Sequence, residues 1–219
     1  MNNGTMNCQH DPSPFADMRR GMIDGQLRRR GIHDARVLEA MGSVPREEFV
    51  AEDLRDQAYD DCPLPIGHGQ TISQPFTVAY MLQELRLQGD ERVLDVGTGS
   101  GYAAAVLSCL VREVHSVERI AELAESARAR LIRLGFARVQ VHTDDGTLGC
   151  PAHAPFQAIV VAAATDVLPD AYPRQLSEGG RIVIPIGNRS CQTLYRYTKH
   201  ACQLTADDLG QFMFVPLVG

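Results

Sequence analysis

Val93-Leu94-Asp95-Val96-Gly97-Thr98-Gly99-Ser100-Gly101 is the stretch whose reading decides the fold. An apolar run interrupted by Asp95 passes into glycines on alternate positions. Without a Cβ, these residues let the backbone turn sharply and approach a ligand closely. Tyr102–Arg112 then carries a helical pattern, so the stretch reads as strand, glycine loop and helix. Such a unit binds a nucleotide-like cofactor, but by itself it does not specify which one.

Outward from this loop the chain alternates strand and helix. Strands are expected at 92–96, 114–117, 138–142, 156–162, 181–186, 193–198 and 212–217. Helices are expected at 102–112, 120–134 (closed by Gly135) and about 169–176. Alternation with helices of this length predicts an α/β fold, a doubly wound and mostly parallel sheet. The three strand-like runs after the last helix predict an antiparallel C-terminal edge. Upstream, Met18, Met22, Ile23 and Leu27, then Val37, Leu38 and Met41, predict two short helices separated by Gly31. Asp34 is the expected cap of the second. Residues 49–74, with Pro63, Pro65, Gly67 and Gly69, are expected to form a long loop with little regular structure. Pro75 suits the first turn of a helix running through Leu85.

The chain has 219 residues and a formal net charge of −6, which argues against a nucleic-acid-binding surface. The basic run Arg28-Arg29-Arg30 reads as a solvated helix face. No apolar stretch approaches the ~20 residues that span a bilayer. The N-terminus lacks the pattern of a signal peptide, so the expected compartment is the cytoplasm. Residues 1–14 are expected to be disordered. The six cysteines and seven histidines are scattered without metal-ligand spacing. Reduced thiols and no metal site are therefore expected.

Three acidic residues narrow the cofactor. Asp95 lies two positions before Gly97, Glu118 ends the next strand, and Asp144-Asp145-Gly146 follows the strand after that. Ligands of such sheets bind at these strand ends. A carboxylate pressed against the loop opposes a phosphate but suits a cation. S-adenosyl-L-methionine carries an ammonium and a sulfonium and no phosphate. Glu118, 21 residues after Gly97, stands where an acid accepts hydrogen bonds from ribose hydroxyls. Asp145 is placed to hold the adenine amino group. Taken singly, each acid could instead be a helix cap or a loop residue.

Leu64-Pro65-Ile66-Gly67-His68-Gly69-Gln70-Thr71-Ile72-Ser73-Gln74-Pro75-Phe76-Thr77-Val78 resembles the active-site segment of the protein-L-isoaspartate O-methyltransferases. Val93–Tyr102 is similar to their methyl-donor loop, Phe49–Leu54 to the segment before the active site, and Gly179–Gly187 and Phe214–Leu217 to later strands. Gln70–Pro75 is the most specific part, and the likeness covers roughly residues 15–218. It implies a class I methyltransferase with a seven-stranded Rossmann-like sheet and an N-terminal helical extension. Residues 15–219 are then one domain, with helices and an active-site loop in 15–90 and the donor-binding sheet in 91–219.

The resemblance implies methylation of the α-carboxylate of L-isoaspartyl residues in damaged proteins. It makes Ser73 the active-site serine. The donor would be held by Asp95, Gly97, Thr98, Gly99, Ser100, Gly101, Glu118, Asp145 and Gly146. Gln70, Thr71, Ser73, Gln74 and Val215 would meet the substrate. No Gly-x-Ser-x-Gly elbow surrounds Ser73, so it reads as an orienting hydroxyl and not as an acyl nucleophile. Its alternative role is capping the helix that begins at Pro75, or preceding that cap. The expected working form is a monomer.

The chain departs from the family pattern at Asp144, Cys150, Gln157 and Ala162, where Gly, an aromatic, Asp and Thr are usual. Ala162, at a strand tip, bears most directly on the acceptor. Two other functions therefore stand beside isoaspartyl repair at this point. One is methylation of a specific peptide or small-molecule acid; the other is a donor-binding or partner-binding protein without turnover.

Overall fold

The computed structural model describes residues 14–218; of residues 1–14, expected to be disordered, all but Pro14 lie outside them. Chain order gives strands β1 (Leu64–Gly67), β2 (Gln70–Ile72), β3 (Arg92–Val96), β4 (Glu113–Glu118), β5 (Val139–Thr143), β6 (Phe156–Val161), β7 (Leu176–Asn188), β8 (Cys191–His200) and β9 (Gln203–Phe212). The α-helices are α1 (Ala16–Gly21), α2 (Ala35–Ser43), α3 (Pro75–Glu84), α4 (Tyr102–Leu110), α5 (Ala121–Arg133) and α6 (Ala171–Gln175).

Seven strands form one sheet in the order β5-β4-β3-β6-β7-β8-β9. The first five pair in parallel, and β8 and β9 complete an antiparallel edge. The chain reverses direction across the sheet between β3 and β6, and the carboxyl ends of those strands form the crevice where ligands bind. The sequence expectation of a doubly wound sheet with an antiparallel edge is met.

The central strands are apolar because both faces are covered. Val93, Val114, Ala158, Val160 and Val183 pack on one face against α2, α3 and α4 residues such as Met41, Leu82 and Leu107. Leu94, Val96, Val117, Ile159 and Ile184 pack on the other with Phe156 and Tyr172. Full burial of a side chain such as Phe156 contributes roughly 1.5–3 kcal/mol.

The N-terminal helices follow the sequence closely. Helical turns continue from α1 through a π segment (Met22–Leu27) and a 3-10 segment (Arg28–Arg30). They close at Gly31, with Ile32 N donating to Leu27 O and Gly31 N to Arg28 O, the paired bonds of a Schellman motif. Asp34 caps α2 by accepting from Arg36 N at 2.9 Å and Val37 N at 3.3 Å. Arg30 is less solvated than expected, since it pairs with Asp61 and lies 3.7 Å over the Phe76 ring.

Two expectations about strands are corrected. The stretch before Pro75 is not a structureless loop, because β1 and β2 form a hairpin whose tip is His68-Gly69. These strands are too short, and β1 too interrupted by Pro65, to show a period in sequence. The last strand is Gln203–Phe212, not 212–217. It pairs only with β8 and is mostly exposed, so its Thr, Asp and Gly residues need no apolar face. Phe214–Leu217 instead crosses back to the sheet, where Ala164 N donates to Val215 O and Leu217 N to Ala164 O. A smaller difference lies in β7, which begins at Leu176 and takes Gly179-Gly180 into an irregular pairing with β6.

Candidate active site

The glycine loop lies between the end of β3 and α4. Gly97, Gly99 and Gly101 have φ of +93°, +52° and +90°, a region that side-chain-bearing residues rarely occupy. Each glycine meets a different neighbour. A Cβ on Gly97 would touch Ala162 at 3.6 Å, and one on Gly99 would crowd Ile66 at 3.2 Å. One on Gly101 would crowd Leu131 and Ala127 of α5 at 3.3–3.4 Å. Gly97 and Gly99 line a cleft, whereas Gly101 serves helix packing and is not on the cleft wall.

That cleft encloses about 1080 Å³, counting its side open to solvent. It is lined by Asp95, Gly97, Thr98, Gly99, Ser100 and Glu118 and, from other parts of the chain, by Gln70, Thr71, Ser73 and Val215. Fold thus unites the two sequence-predicted groups. Gln74 and Asp145 are not on the wall. Gln74 is the N-cap residue of α3, leaving Ser73 the residue before the cap. Asp145 caps a 3-10 turn, its Oδ1 accepting from Thr147 N and Oγ1, and Gly146 beside it reaches the cleft. Tyr102, Ile120 and Leu217 also line the cleft but were not among the candidate site residues, since their side chains carry no charge that signals a ligand.

Two carboxylates dominate the donor side. Glu118 accepts from Gly99 N at 2.8 Å and Ile120 N at 3.0 Å, which aims it from the tip of β4 across the loop. A carboxylate has about four acceptor sites, so it retains capacity for a ligand. Asp95 is fully buried and accepts from Ser116 Oγ at 2.6 Å, and Ser116 Oγ lies 2.5 Å from Thr98 Oγ1. Its Oδ1 has no partner. Burial raises its pKa to about 7; the Ser116 hydrogen bond opposes this and the Glu118 charge adds to it. A buried, half-satisfied carboxylate on a cleft wall is costly unless a cation completes it. This fits an ammonium-bearing, sulfonium-bearing donor.

Elsewhere on the same cleft, the hydroxyl of Ser73 has no hydrogen-bond partner among the described residues. Its carbonyl is held by Arg46, whose side chain is wholly buried. Arg46 donates from Nε to Ala58 O at 2.6 Å and from Nη2 to Ser73 O at 2.8 Å, and its guanidinium lies 4.7 Å over the Tyr102 ring. The sequence reading passed over Arg46, because a single arginine beside two glutamates looks like surface charge.

The departures from the family pattern fall in different places. Gln157 works at the far end of β6, accepting from Arg92 N and donating to Ser177 Oγ. Asp144 is exposed and accepts from Asp145 N. Ala162 lines the cleft against Gly97. Cys150 is buried on the opposite face of the sheet from Asp95.

The strand order, the glycine loop and acidic strand tips suited to a cation define a class I S-adenosylmethionine-dependent methyltransferase. A search of known proteins agrees and goes further. The sequence model of the protein-L-isoaspartate(D-aspartate) O-methyltransferase family matches residues 18–219. The chain is 54% identical over 211 residues to protein-L-isoaspartate O-methyltransferase 2 of Marinobacter nauticus, covering 95% of this chain and 96% of that one. It is 50% identical to protein-L-isoaspartate O-methyltransferase 1 of Rhodopseudomonas palustris, covering 95% and 86%. One solved protein-L-isoaspartate O-methyltransferase superposes with a TM-score of 0.83 at 30% identity, over 92% of this chain and 66% of that longer chain. Another, from Plasmodium falciparum in complex with S-adenosyl-L-homocysteine, gives 0.81 at 28% identity, over 91% and 98%. The chain belongs to the protein-L-isoaspartate O-methyltransferase family.

Proposed function

We propose that this chain transfers a methyl group from S-adenosyl-L-methionine to the α-carboxylate of isoaspartyl residues, initiating repair of damaged proteins. What carries the reading is one cleft lined both by the acids beside the glycine loop and by Ser73, whose hydroxyl has no hydrogen-bond partner among the described residues. Bound donor supplies an electrophilic methyl on a sulfonium that leaves as a neutral thioether.

The chain's residues then have three tasks. Asp95, Thr98, Gly97, Gly99, Ser100, Glu118 and Gly146 hold the donor, with the two carboxylates matching its cationic and hydroxyl groups. Asp145 shapes the turn that presents Gly146, and Gly101 seats the loop against α5; both act on the donor indirectly. A substrate carboxylate is already ionised at neutral pH, with a reference pKa near ~4, so no general base is required. The remaining task is in-line positioning. Ser73 performs it by donating one neutral hydrogen bond, which orients the carboxylate without quenching it as a cation would. Gln70, Thr71 and the backbone of Val215 flank the same opening, and Gln74 bounds the segment from outside the wall.

No helix among the described residues is long and apolar enough to cross a membrane. The net charge of −6 supports a protein acting without nucleic acid. We read the working form as a cytoplasmic monomer. The test is a labelled-donor assay on an isoaspartyl peptide beside its normal aspartyl twin. Labelling of the first alone is expected; equal, negligible labelling of both despite donor binding would refute isoaspartyl repair.

A further inference from the structure

Folding gathers residues that the sequence scatters. His115 lies on β4, His142 on β5, and Cys150 and His153 on the connection from β5 to β6. One ligand atom from each of the four lies within 4.8 Å of the others. His115 and Cys150 are buried and the other two half-buried. The only sequence signal is Cys150-x-x-His153, a spacing that brings two ligands together on one turn.

We propose that His115, His142, Cys150 and His153 form a closed, four-ligand structural site for a divalent transition metal of the zinc class. Three imidazoles and a thiolate are a donor set that suits zinc, and four protein ligands leave no open position for catalysis. Tetrahedral coordination at Zn–N ~2.0–2.1 Å and Zn–S ~2.3 Å places ligand atoms roughly 3.3–3.7 Å apart. The widest pair therefore has to close by about 1 Å, a change within side-chain rotation. The Nδ1 of His115 is already 3.0 Å from Nε2 of His142, a contact the metal would replace. The His115 and His153 rings stack with centroids 4.1 Å apart, and binding would splay those planes.

The surroundings are arranged as a metal site requires. Glu113 Oε1 lies 3.0 Å from His115 Nε2. A carboxylate there holds the proton on Nε2 and leaves the Nδ1 lone pair facing the cluster, as in carboxylate–histidine–metal triads. Glu113 is itself held by Arg92 at 2.8 Å, and Arg92 Nη1 donates to His153 O at 3.1 Å. The thiolate and Glu113 place negative charge beside the cation, with Arg92 paired to Glu113. The site would pin the connection that opens with Asp145 and Gly146, so its occupancy would stiffen one edge of the cleft.

Cobalt titration of the full chain, freed of metal by a chelator, tests the proposal. One Co²⁺ per chain should bind, with visible bands of tetrahedral intensity and a near-ultraviolet thiolate-to-cobalt absorption. Cys150→Ser should abolish the thiolate absorption, and Cys191→Ser, at an exposed thiol, should not. Glu113→Gln should weaken Co²⁺ binding by roughly 10–100-fold. His153→Ala should weaken it at least tenfold, which keeps the test decisive if Cys150→Ser does not fold. Absence of saturable one-to-one binding overturns the proposal. So does thiolate absorption that survives Cys150→Ser, or an affinity unmoved by His153→Ala.

Discussion

The guanidinium of Arg46 donates from Nη2 to the carbonyl oxygen of Ser73 at 2.8 Å. A fully buried cation thus fixes the backbone of the residue whose hydroxyl is proposed to orient the acceptor. Its other hydrogen bonds run to Ala58 O and, through its backbone N–H, from Arg46 to Tyr59 Oη. Tyr59 and Arg19 in turn hold Glu47. Arg46→Lys cannot span both carbonyls. Leaving one buried acceptor unsatisfied costs about 1–3 kcal/mol. Denaturant unfolding should show that loss, and kcat should fall several-fold while donor affinity stays near its original value.

Ser73 and Glu118 should separate cleanly in kinetics. Ser73→Ala is expected to lower kcat tenfold or more with little change in donor Kd. Glu118→Ala is expected to weaken donor binding roughly tenfold to a hundredfold, since a hydrogen bond to a charged group contributes about 1.5–3 kcal/mol. Calorimetry with donor and steady-state methylation of an isoaspartyl peptide check both. Equal loss of donor affinity and turnover in Ser73→Ala would make the serine structural.

Asp95 predicts a pH dependence with a definite sign. Its ordinary pKa of 3.8 is raised by burial to about 7 in the folded protein. Between these values the unfolded chain has lost the proton and the folded chain keeps it. The folded state binds more protons there, so this group's contribution makes stability fall as pH rises from about 4 to about 7. The full span is roughly 4 kcal/mol at 1.36 kcal/mol per pKa unit. Donor affinity should move the opposite way, rising as Asp95 ionises and gains charge to meet a cation. Melting curves and calorimetry across this range should show both trends, and Asp95→Asn should flatten them.

Glycine substitutions distinguish backbone strain from ligand contact. Gly97→Ala and Gly135→Ala both place a side chain at positive φ, +93° and +82°. Each should destabilise by about 1–2 kcal/mol. Gly135 meets nothing within 4 Å and is not on the cleft wall, so its variant should bind donor normally. Gly97→Ala should also lose donor affinity, because its methyl enters the wall beside Ala162.

Much of the sheet was legible because its signals are local. Strand β3 was read with its observed limits, and β4, β5, β6, α4 and α5 within one or two residues. Continuous apolar runs and glycine stops mark these elements directly. The hairpin β1–β2 and the polar edge strand β9 were not legible. Their strand character comes from pairing with a neighbour that no local window contains.

By itself, the sequence determined the alternating α/β architecture, the glycine loop, the preference for a cationic donor and the family. Each rests on residue type and spacing along a few consecutive positions, which chain geometry converts directly into local structure. Only the tertiary structure decided what those residues meet. It brought Ser73 and the acid-lined loop onto one cleft and drew Arg46 inward to the Ser73 carbonyl. It relieved Gln74, Asp145 and Gly101 of direct contact with the cleft. It also converged His115, His142, Cys150 and His153 from three parts of the chain. Such contacts follow from strand order and from which face of the sheet a side chain takes, and long-range packing settles both.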